Sequence, residues 1–294
     1  MRFRAPILLA IVLSIVGLCE AQQPKILISV DMEGIGALVR DQFGPGAFEY
    51  QKGRQLMTAE VNAAIEGCLE AGAGEIVVAD AHGNAQNLIP DELNEGAMLI
   101  RSFPRPLMQV EGADESFSGA IFIGYHPMDG TAAANLSHTF MGGTIFEIKV
   151  NGKPVSESIF NAAVVGSMGV PVIMVAGDQN ITSEAVDTFG PIETVRTKES
   201  IGWYSTKTRH PKLICQEIKE KAKTAVERIA EMKPFTFEPP LKMEITFKNI
   251  YDAETWGYLP WVKRTSGKTI LVESDKMVEL NNFIAALYGV NRRR

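Results

Sequence analysis

The sequence predicts an α/β protein in which a mainly parallel sheet carries helices on both faces, followed by a smaller C-terminal α+β portion. Strand-like apolar runs alternate with helical segments from residue 25 to about 200. Several of these runs are continuously apolar, which is typical of parallel strands covered on both faces. After about residue 200, a long charged amphipathic helix and an alternating strand replace this pattern. We therefore predict an α/β domain over 25–200 and a smaller α+β domain over 201–294.

The elements of the first domain follow from apolar runs and helical periodicity. Strands are predicted at "KILISVD", "EIVVAD", "AMLIRS", "GAIFIGY" and "VPVIMVAG", with helices near 55–71 and 157–168. Asn151 and Gly152 separate two extended runs in "FEIKVNGKPV". An Asn-Gly pair at such a position is a strong signal for a hairpin turn.

The second domain has fewer elements. A helix is predicted over "PKLICQEIKEKAKTAVERIAEM", followed by a Pro-rich break at 234–240. "KMEITFKN" alternates apolar and polar residues in the manner of a half-exposed strand. A further strand, "TILVESD", and a closing helix, "KMVELNNFIAALYGV", complete the chain.

Residues 1–21 have the pattern of a secretory signal peptide. "MRFR" is basic, the run from Ile7 to Leu18 is apolar, and the small residue Ala21 ends the segment. The run is short for a membrane span, which needs about 20 apolar residues. A retained anchor and a lipoprotein processed at Cys19 are the alternatives, although Leu18 is large for such processing. We expect a secreted or periplasmic protein.

Charge and hydropathy exclude two kinds of partner. No second long apolar run follows the leader, so we expect no stable membrane span. The formal charge of the full chain is −6, and loss of two arginines and one glutamate with the leader makes it −7. An acidic chain without a basic cluster argues against nucleic-acid binding.

Two cysteines, Cys68 and Cys215, remain after the leader. Both lie in helical patterns, where a cysteine is more often a small buried apolar residue than a bridge or a ligand. A single disulfide between them stays open on sequence alone.

Acids and histidines follow three of the predicted strands. Asp31 and Glu33 end the first strand with one residue between them, so both project to the same side about 6.5 Å apart. His82 follows "EIVVAD", and His126 follows "GAIFIGY". The carboxyl ends of parallel strands meet in the crevice where ligands bind in open sheets. We therefore expect these side chains to converge.

Any one of these residues has a structural explanation, because acids and histidines often end strands at a surface. Coincidence on three strands favours a shared site instead. Carboxylates mixed with imidazoles, without cysteine, suit zinc, manganese or a similar divalent ion.

Two further candidates are weaker on sequence alone. His138, in "ANLSHTF", lies in a segment without strong periodicity and fits an ordinary loop residue equally well. Glu157 opens a predicted helix, where the helix dipole stabilises an acid without any further role. Two readings of Asp80 stay open: it accepts the second N–H of a metal-bound histidine, or it is simply an acid at a strand end. Asn87 receives no role.

The sequence resembles the DppA-type D-aminopeptidases, the M55 metallopeptidase family. The resemblance runs through "ISVDMEGIGAL", "VVADAHGNAQNL", "VEGADESFSGAIFIGYH", "LSHTF", "VNGKPVSESIFNAAVVG" and "VPVIMVAGD", then more weakly to the C-terminus. It covers nearly the whole mature chain. Two departures are the apparent export signal and the small residues of "PMDGTAAAN" after His126.

The resemblance implies a site with two Zn²⁺ ions per chain. Asp31 would bridge both ions, Glu33 and His82 would complete one site, and His126 and Glu157 would complete the other. His138 matches the catalytic histidine proposed for the family. The family also forms rings stacked into a decamer, which implies a homodecamer acting on short peptides.

The resulting hypothesis is a zinc-dependent aminopeptidase for short peptides with D-amino acids at the N-terminus. A water activated by two metals would attack the peptide bond. His138 would act as acid/base, for which an imidazole pKa of about 6.5 is suitable, or as nucleophile. A secreted peptide-binding protein without catalysis, and a metal-dependent hydrolase of another amide or ester, remain the alternatives.

Overall fold

A computed structural model describes residues 23–40 and 44–291 of the chain. The predicted signal peptide, residues 1–21, lies outside the described residues. Within the described part, none of the helices combines the length and the apolar character needed to cross a membrane.

Within residues 23–40 and 44–291, twelve strands form two sheets. The strands are β1 Lys25–Val30, β2 Glu75–Asp80, β3 Met98–Ile100, β4 Gly119–Tyr125, β5 Ile145–Val150, β6 Lys153–Pro154, β7 Val172–Asp178, β8 Glu193–Ser200, β9 Thr206–Thr208, β10 Leu241–Phe247, β11 Val262–Arg264 and β12 Thr269–Ser274. The main sheet has the order β3-β2-β1-β4-β7-β8-β9. Its strands are parallel except for β9, which is antiparallel to β8. The predicted α/β class with a mainly parallel sheet is confirmed.

The described helices are α1 Tyr50–Glu70, α2 Glu157–Gly166, α3 Gln179–Phe189, α4 Pro211–Glu227, α5 Ile250–Trp256 and α6 Met277–Asn291. α1 packs along α4, while α2 contacts α3. Every residue of β4 and of β7 is buried, as expected for strands covered on both faces.

The second sheet is antiparallel, with the order β11-β12-β10-β5-β6. β5 and β6 form the predicted hairpin, and Asn151 and Gly152 at its turn have φ values of 51° and 77°. A two-residue hairpin turn of this type requires positive φ at both positions, and asparagine and glycine adopt it readily. This sheet joins strands from both predicted ranges, 25–200 and 201–294, and the division of the chain into those two domains stays a prediction.

Several elements are not predicted by the sequence patterns. They are α3, α5, β8, β9 and β11. Asp178 ends β7 and also caps α3, because its Oδ1 accepts hydrogen bonds from the N–H groups of Asn180 and Ile181 at 3.0 Å. No loop therefore marks the start of this helix. β8 reads "ETVRTKES", and periodicity does not show the specific hydrogen bonds made by its buried polar side chains, which are Glu193, Thr197, Lys198 and Ser200.

The two cysteines in the described part of the chain do not pair with each other. Cys68 is buried in α1, and Cys215 is half-buried in α4. Burial raises the pKa of the Cys68 thiol to about 12 and that of Cys215 to about 11. Both thiols are therefore neutral and unreactive near pH 7.

Candidate metal centre

The register of the main sheet brings the strand ends together. Val30 at the end of β1 lies opposite Asp80 of β2 and Ile123 of β4. The next residue, Asp31, donates its N–H to the carbonyl of Ile123 at 2.8 Å. In the main sheet, β2 and β3 lie on one side of β1, and β4 and the later strands lie on the other. The strand order therefore reverses at β1, and the site lies at this point. Ligands in open α/β sheets bind at this position.

Two glycines let the β1 and β4 ends approach closely. A Cβ at Gly34 would overlap the carbonyl oxygen of Tyr125, and a Cβ at Gly124 would overlap that of Asp31. Gly124 also has a φ of 69°, which a side chain would strain. The glycines of "DMEG" and "GYH" therefore serve the backbone contact that places Asp31 beside His126.

Asp31 lies between two imidazoles. Its Oδ1 is 3.1 Å from His82 Nδ1, and its Oδ2 is 3.4 Å from His126 Nε2. Glu33 lies on the His82 side, where its Oε2 is 2.9 Å from the same Nδ1. The two oxygens of one carboxylate thus face two different histidines, which is the arrangement expected of a bridging ligand.

Glu157 and His138 reach the cluster from outside the parallel sheet. Glu157 is the first residue of α2, and its Oε1 lies 3.5 Å from His126 Nε2 and 3.8 Å from His138 Nε2. His138 comes from the loop between β4 and β5 and stacks on His126, with ring centroids 4.2 Å apart. His138 Nε2 is also 4.0 Å from Glu33 Oε1. All six predicted site residues are therefore brought together.

The donor set fits a divalent cation. Asp31, Glu33 and Glu157 are 2%, 3% and 1% exposed, so three carboxylates are buried together. Ligand atoms of Asp31, Glu33 and His126 lie within 4.8 Å of one another, as do those of His126, His138 and Glu157. A cavity of about 80 Å³ opens among these carboxylates. Buried charges of one sign need a counter-charge, and carboxylate with imidazole is a zinc ligand set.

The histidine rings are oriented by backbone carbonyls. The Nδ1 of His126 lies 3.0 Å from the carbonyl of Pro127, and that of His138 lies 2.8 Å from the carbonyl of Leu136. If each Nδ1–H donates to its carbonyl, Nε2 is the atom left to face the carboxylates as a ligand. His126 Nε2 is buried and has no hydrogen-bond partner among the described residues.

The electrostatics also favour positive charge here. Burial opposes ionisation of Asp31, yet the adjacent imidazoles of His126 and His82 hold the pKa of its carboxyl well below its usual range. Burial alone would lower the pKa of His126, but the carboxylates of Glu157 and Asp31 raise it well above its usual value. The cluster therefore attracts a cation, whether a proton or a metal ion.

Residues that sequence reasoning missed hold Glu157 in place. Glu157 Oε1 accepts the N–H of Phe140 at 2.6 Å, and Oε2 accepts the side-chain amide of Gln109. Gln109 in turn accepts from Asn161 at 2.6 Å, and Asn161 donates to Tyr125 at 3.0 Å. Gln109 lies in a single turn of 3₁₀ helix without a periodic pattern, so no sequence signal could have found it.

Asp80 acts on the His82 segment through the following loop. Its carboxylate accepts the N–H groups of Asn87 and Leu88 at 2.6 and 2.8 Å and the Asn87 side-chain amide at 2.8 Å. The same amide donates to the carbonyl of His82 at 2.6 Å. Asn87, which received no role from sequence, therefore links Asp80 to the backbone of His82.

Lys198 of β8 is a second residue that the sequence did not single out. Its buried ammonium donates to the carbonyls of Glu33 and Leu38 and to the side chain of Asn135. Burial lowers the pKa of Lys198 to about 8. These three bonds fix the backbone segment that carries Glu33.

A larger cavity of about 560 Å³ adjoins the cluster. Glu33, His82 and His138 line it at the cluster, and Leu136, Trp203 and Lys248 line it elsewhere. Its walls are mostly apolar with a few polar groups, which is typical of a small-molecule site.

Comparisons with known proteins identify the family of this chain. The D-aminopeptidase profile of peptidase family M55 matches residues 25–286. A D-aminopeptidase of Bacillus subtilis (strain 168) is 34% identical over 257 residues, which cover 87% of this chain and 93% of the relative. A solved structure, the Zn-dependent D-aminopeptidase DppA from Bacillus subtilis, described as a self-compartmentalizing protease, superposes with a TM-score of 0.86. It is 32% identical, and the match covers 92% of this chain and 98% of that one. The chain belongs to the M55 family of D-aminopeptidases.

Proposed function

We propose that this protein is a zinc-dependent aminopeptidase that hydrolyses short peptides with D-amino acids at their N-terminus. The observation that carries the proposal is Asp31, buried with one oxygen facing His82 and the other facing His126. Family membership supports the activity. The neighbouring cavity of about 560 Å³ is large enough for a short peptide and too small for a folded protein.

The proposal assigns two zinc ions to each chain. Asp31 would bridge them, with Glu33 and His82 completing one site and His126 and Glu157 completing the other. The two oxygens of Asp31 support the bridge, because each lies beside a different imidazole. Zinc, when bound, supplies a Lewis acid that polarises the peptide carbonyl and acidifies the attacking water.

His138 is the group proposed to move the proton or to act as nucleophile. Its Nδ1 is held by the carbonyl of Leu136, so its Nε2 faces Glu33 and Glu157 at the wall of the larger cavity. An imidazole in this position can take a proton from an attacking group and return it to the leaving amine. The stacked ring of His126 limits its rotation.

Assembly and location complete the proposal. The relative described as self-compartmentalizing supports a homo-oligomer, and we propose a ring-based homodecamer. Export after cleavage of the leader, to the periplasm or the medium, is proposed from the sequence of residues 1–21 alone.

The test is hydrolysis of a peptide panel by zinc-loaded protein. We expect cleavage of di- and tripeptides with an N-terminal D-residue, and loss of cleavage after chelation with recovery on adding zinc. His138→Ala should retain its metal while turnover falls by about 100-fold or more, as expected for loss of acid/base catalysis. Binding of the peptides without cleavage by the zinc-loaded wild type would contradict the proposal and point to a binding protein.

A further inference from the structure

We propose that Lys248 forms a subsite for the C-terminal carboxylate of the peptide substrate. This inference deepens the proposed function and rests on it. Among the described residues that line the larger cavity, Lys248 is the only lysine or arginine. Glu33 and His138, by contrast, line the cavity at the metal cluster. The cavity therefore offers acids and imidazoles in one region and a cation in another, which matches a peptide with a free amine and a free carboxylate.

The Lys248 ammonium is held in place, but its hydrogen-bonding capacity is not fully used. Its ammonium donates to the carbonyl of Gly142 at 2.5 Å and pairs with Asp129 at 2.8 Å. An ammonium group has three N–H donors, so one remains for a further acceptor. The Lys248 side chain is 39% exposed, and the residue lines the cavity.

The backbone fixes the position of Lys248 on the cavity wall. The residue directly follows β10, and its N–H donates to the carbonyl of Thr144 at 2.8 Å. Its carbonyl accepts the ammonium of Lys268 at 2.9 Å. The second sheet thus supplies a rigid support for a residue that faces a site built on the first sheet.

The spacing suits a short peptide. A Cβ added at Gly142 would lie 2.9 Å from His138 Cβ, so the residue that binds Lys248 also packs on His138. Covalent geometry then keeps the Lys248 ammonium within about 9 Å of His138 Cβ. At about 3.5 Å per residue, a carboxylate one or two residues beyond the scissile bond falls within this distance. This upper limit is compatible with dipeptides and tripeptides that have a free C-terminus.

The test compares D-alanyl-glycine with D-alanyl-glycinamide on zinc-loaded protein. We expect the wild type to prefer the free acid. Lys248→Gln should raise KM for the acid by about 10-fold, because a charge-assisted hydrogen bond is lost, while kcat and all constants for the amide stay unchanged. Lys248→Arg should keep most of the preference. Lys242→Gln, near the start of β10 and outside the cavity, is the matched control and should behave as wild type.

The following results would overturn the subsite, the peptidase proposal, or both. Equal losses for acid and amide in Lys248→Gln would show a merely structural lysine, and an unchanged preference would exclude the subsite. If the wild type cleaves neither peptide, the affinity for each peptide is measured by calorimetric titration instead of kinetics. Tighter binding of the acid that depends on Lys248 would then support the subsite while the peptidase proposal fails, and equal or absent binding would overturn both.

Discussion

Asp31 is the residue on which the proposed metal centre depends most. It is 2% exposed, and its two oxygens face two imidazoles that come from different strands. Replacing one oxygen by an amide nitrogen removes the negative charge and turns an acceptor into a donor. A donor that faces a metal ion or an imidazolium is repelled.

We predict that Asp31→Asn loses both bound zinc and peptide hydrolysis. Metal content per chain, measured by elemental analysis, and turnover should fall together. Asp187→Asn, an exposed acid on α3, is the matched control and should retain both. Full metal content with near-normal activity in Asp31→Asn would refute the bridging assignment.

Glu60 is a buried acid behind the site. Its Oε1 accepts the N–H of Gly36 at 2.8 Å, and its Oε2 has no hydrogen-bond partner among the described residues. Burial raises the pKa of Glu60 from 4.5 to about 8, against the opposing effects of the Gly36 hydrogen bond and the charge of Lys198. The folded protein therefore holds this proton at pH values where the unfolded chain has lost it.

This difference predicts a pH dependence of stability. As pH rises from about 4.5 to about 8, the Glu60 contribution should lower the free energy of unfolding, because the folded state binds more protons than the unfolded state. Glu60→Gln lacks this titration. Urea unfolding should therefore show the variant close to wild type at pH 5 and more stable than wild type at pH 8. A difference in stability that does not change with pH would contradict the raised pKa.

The contact between α1 and α4 depends on a glycine. A Cβ at Gly67 of α1 would overlap the carbonyl oxygen of Lys219 in α4, which is backbone and cannot move aside. Gly289, in α6, has open space around it. The two positions are both helical, yet only one is constrained by a neighbouring helix.

Alanine at these two glycines should have opposite effects. Gly67→Ala should destabilise the protein by about 1–3 kcal/mol, because the helices must separate. Gly289→Ala should stabilise it by about 0.5–1 kcal/mol, since alanine is the better helix former. Urea midpoints measured at one protein concentration would test both, and a common sign for the two changes would refute the explanation.

The molecule as a whole exposes several large apolar side chains around α5 and the start of β11. They are Ile250, Tyr251, Tyr258 and Trp261. Exposed aromatic groups in one segment are typical of surfaces that bind other proteins. The homo-oligomer proposed above would bury this surface against a second copy of this chain.

Sedimentation velocity should therefore show an assembly of several chains at micromolar concentration. Trp261→Glu should shift the protein to smaller species, because a charge at the centre of such a contact is not solvated. Its circular dichroism spectrum should stay that of wild type. A wild type that sediments as single chains would contradict the proposed assembly, and a Trp261→Glu variant that sediments as wild type would exclude this surface from it.

The sequence alone determined the fold class and most of the metal cluster. Continuous apolar runs predicted buried parallel strands, and the ends of neighbouring parallel strands must lie at one edge of the sheet. Asp31, Glu33, His82 and His126 could therefore be placed together from their positions after strands. The Asn151-Gly152 turn was likewise determined locally, because its conformation depends on those two residues.

Tertiary structure decided what periodicity cannot encode. Glu157 and His138 join the cluster through a helix start and a loop, and only the resemblance to the family pointed to them. Lys198 and Lys248 are distant in sequence from the residues that they contact. The ammonium group of each donates to a backbone carbonyl. Such contacts depend on how one layer packs on another, so no local pattern of residue types predicts them. The strand ends of the main sheet place most of the candidate metal cluster, and loops next to both sheets line the cavity beside it.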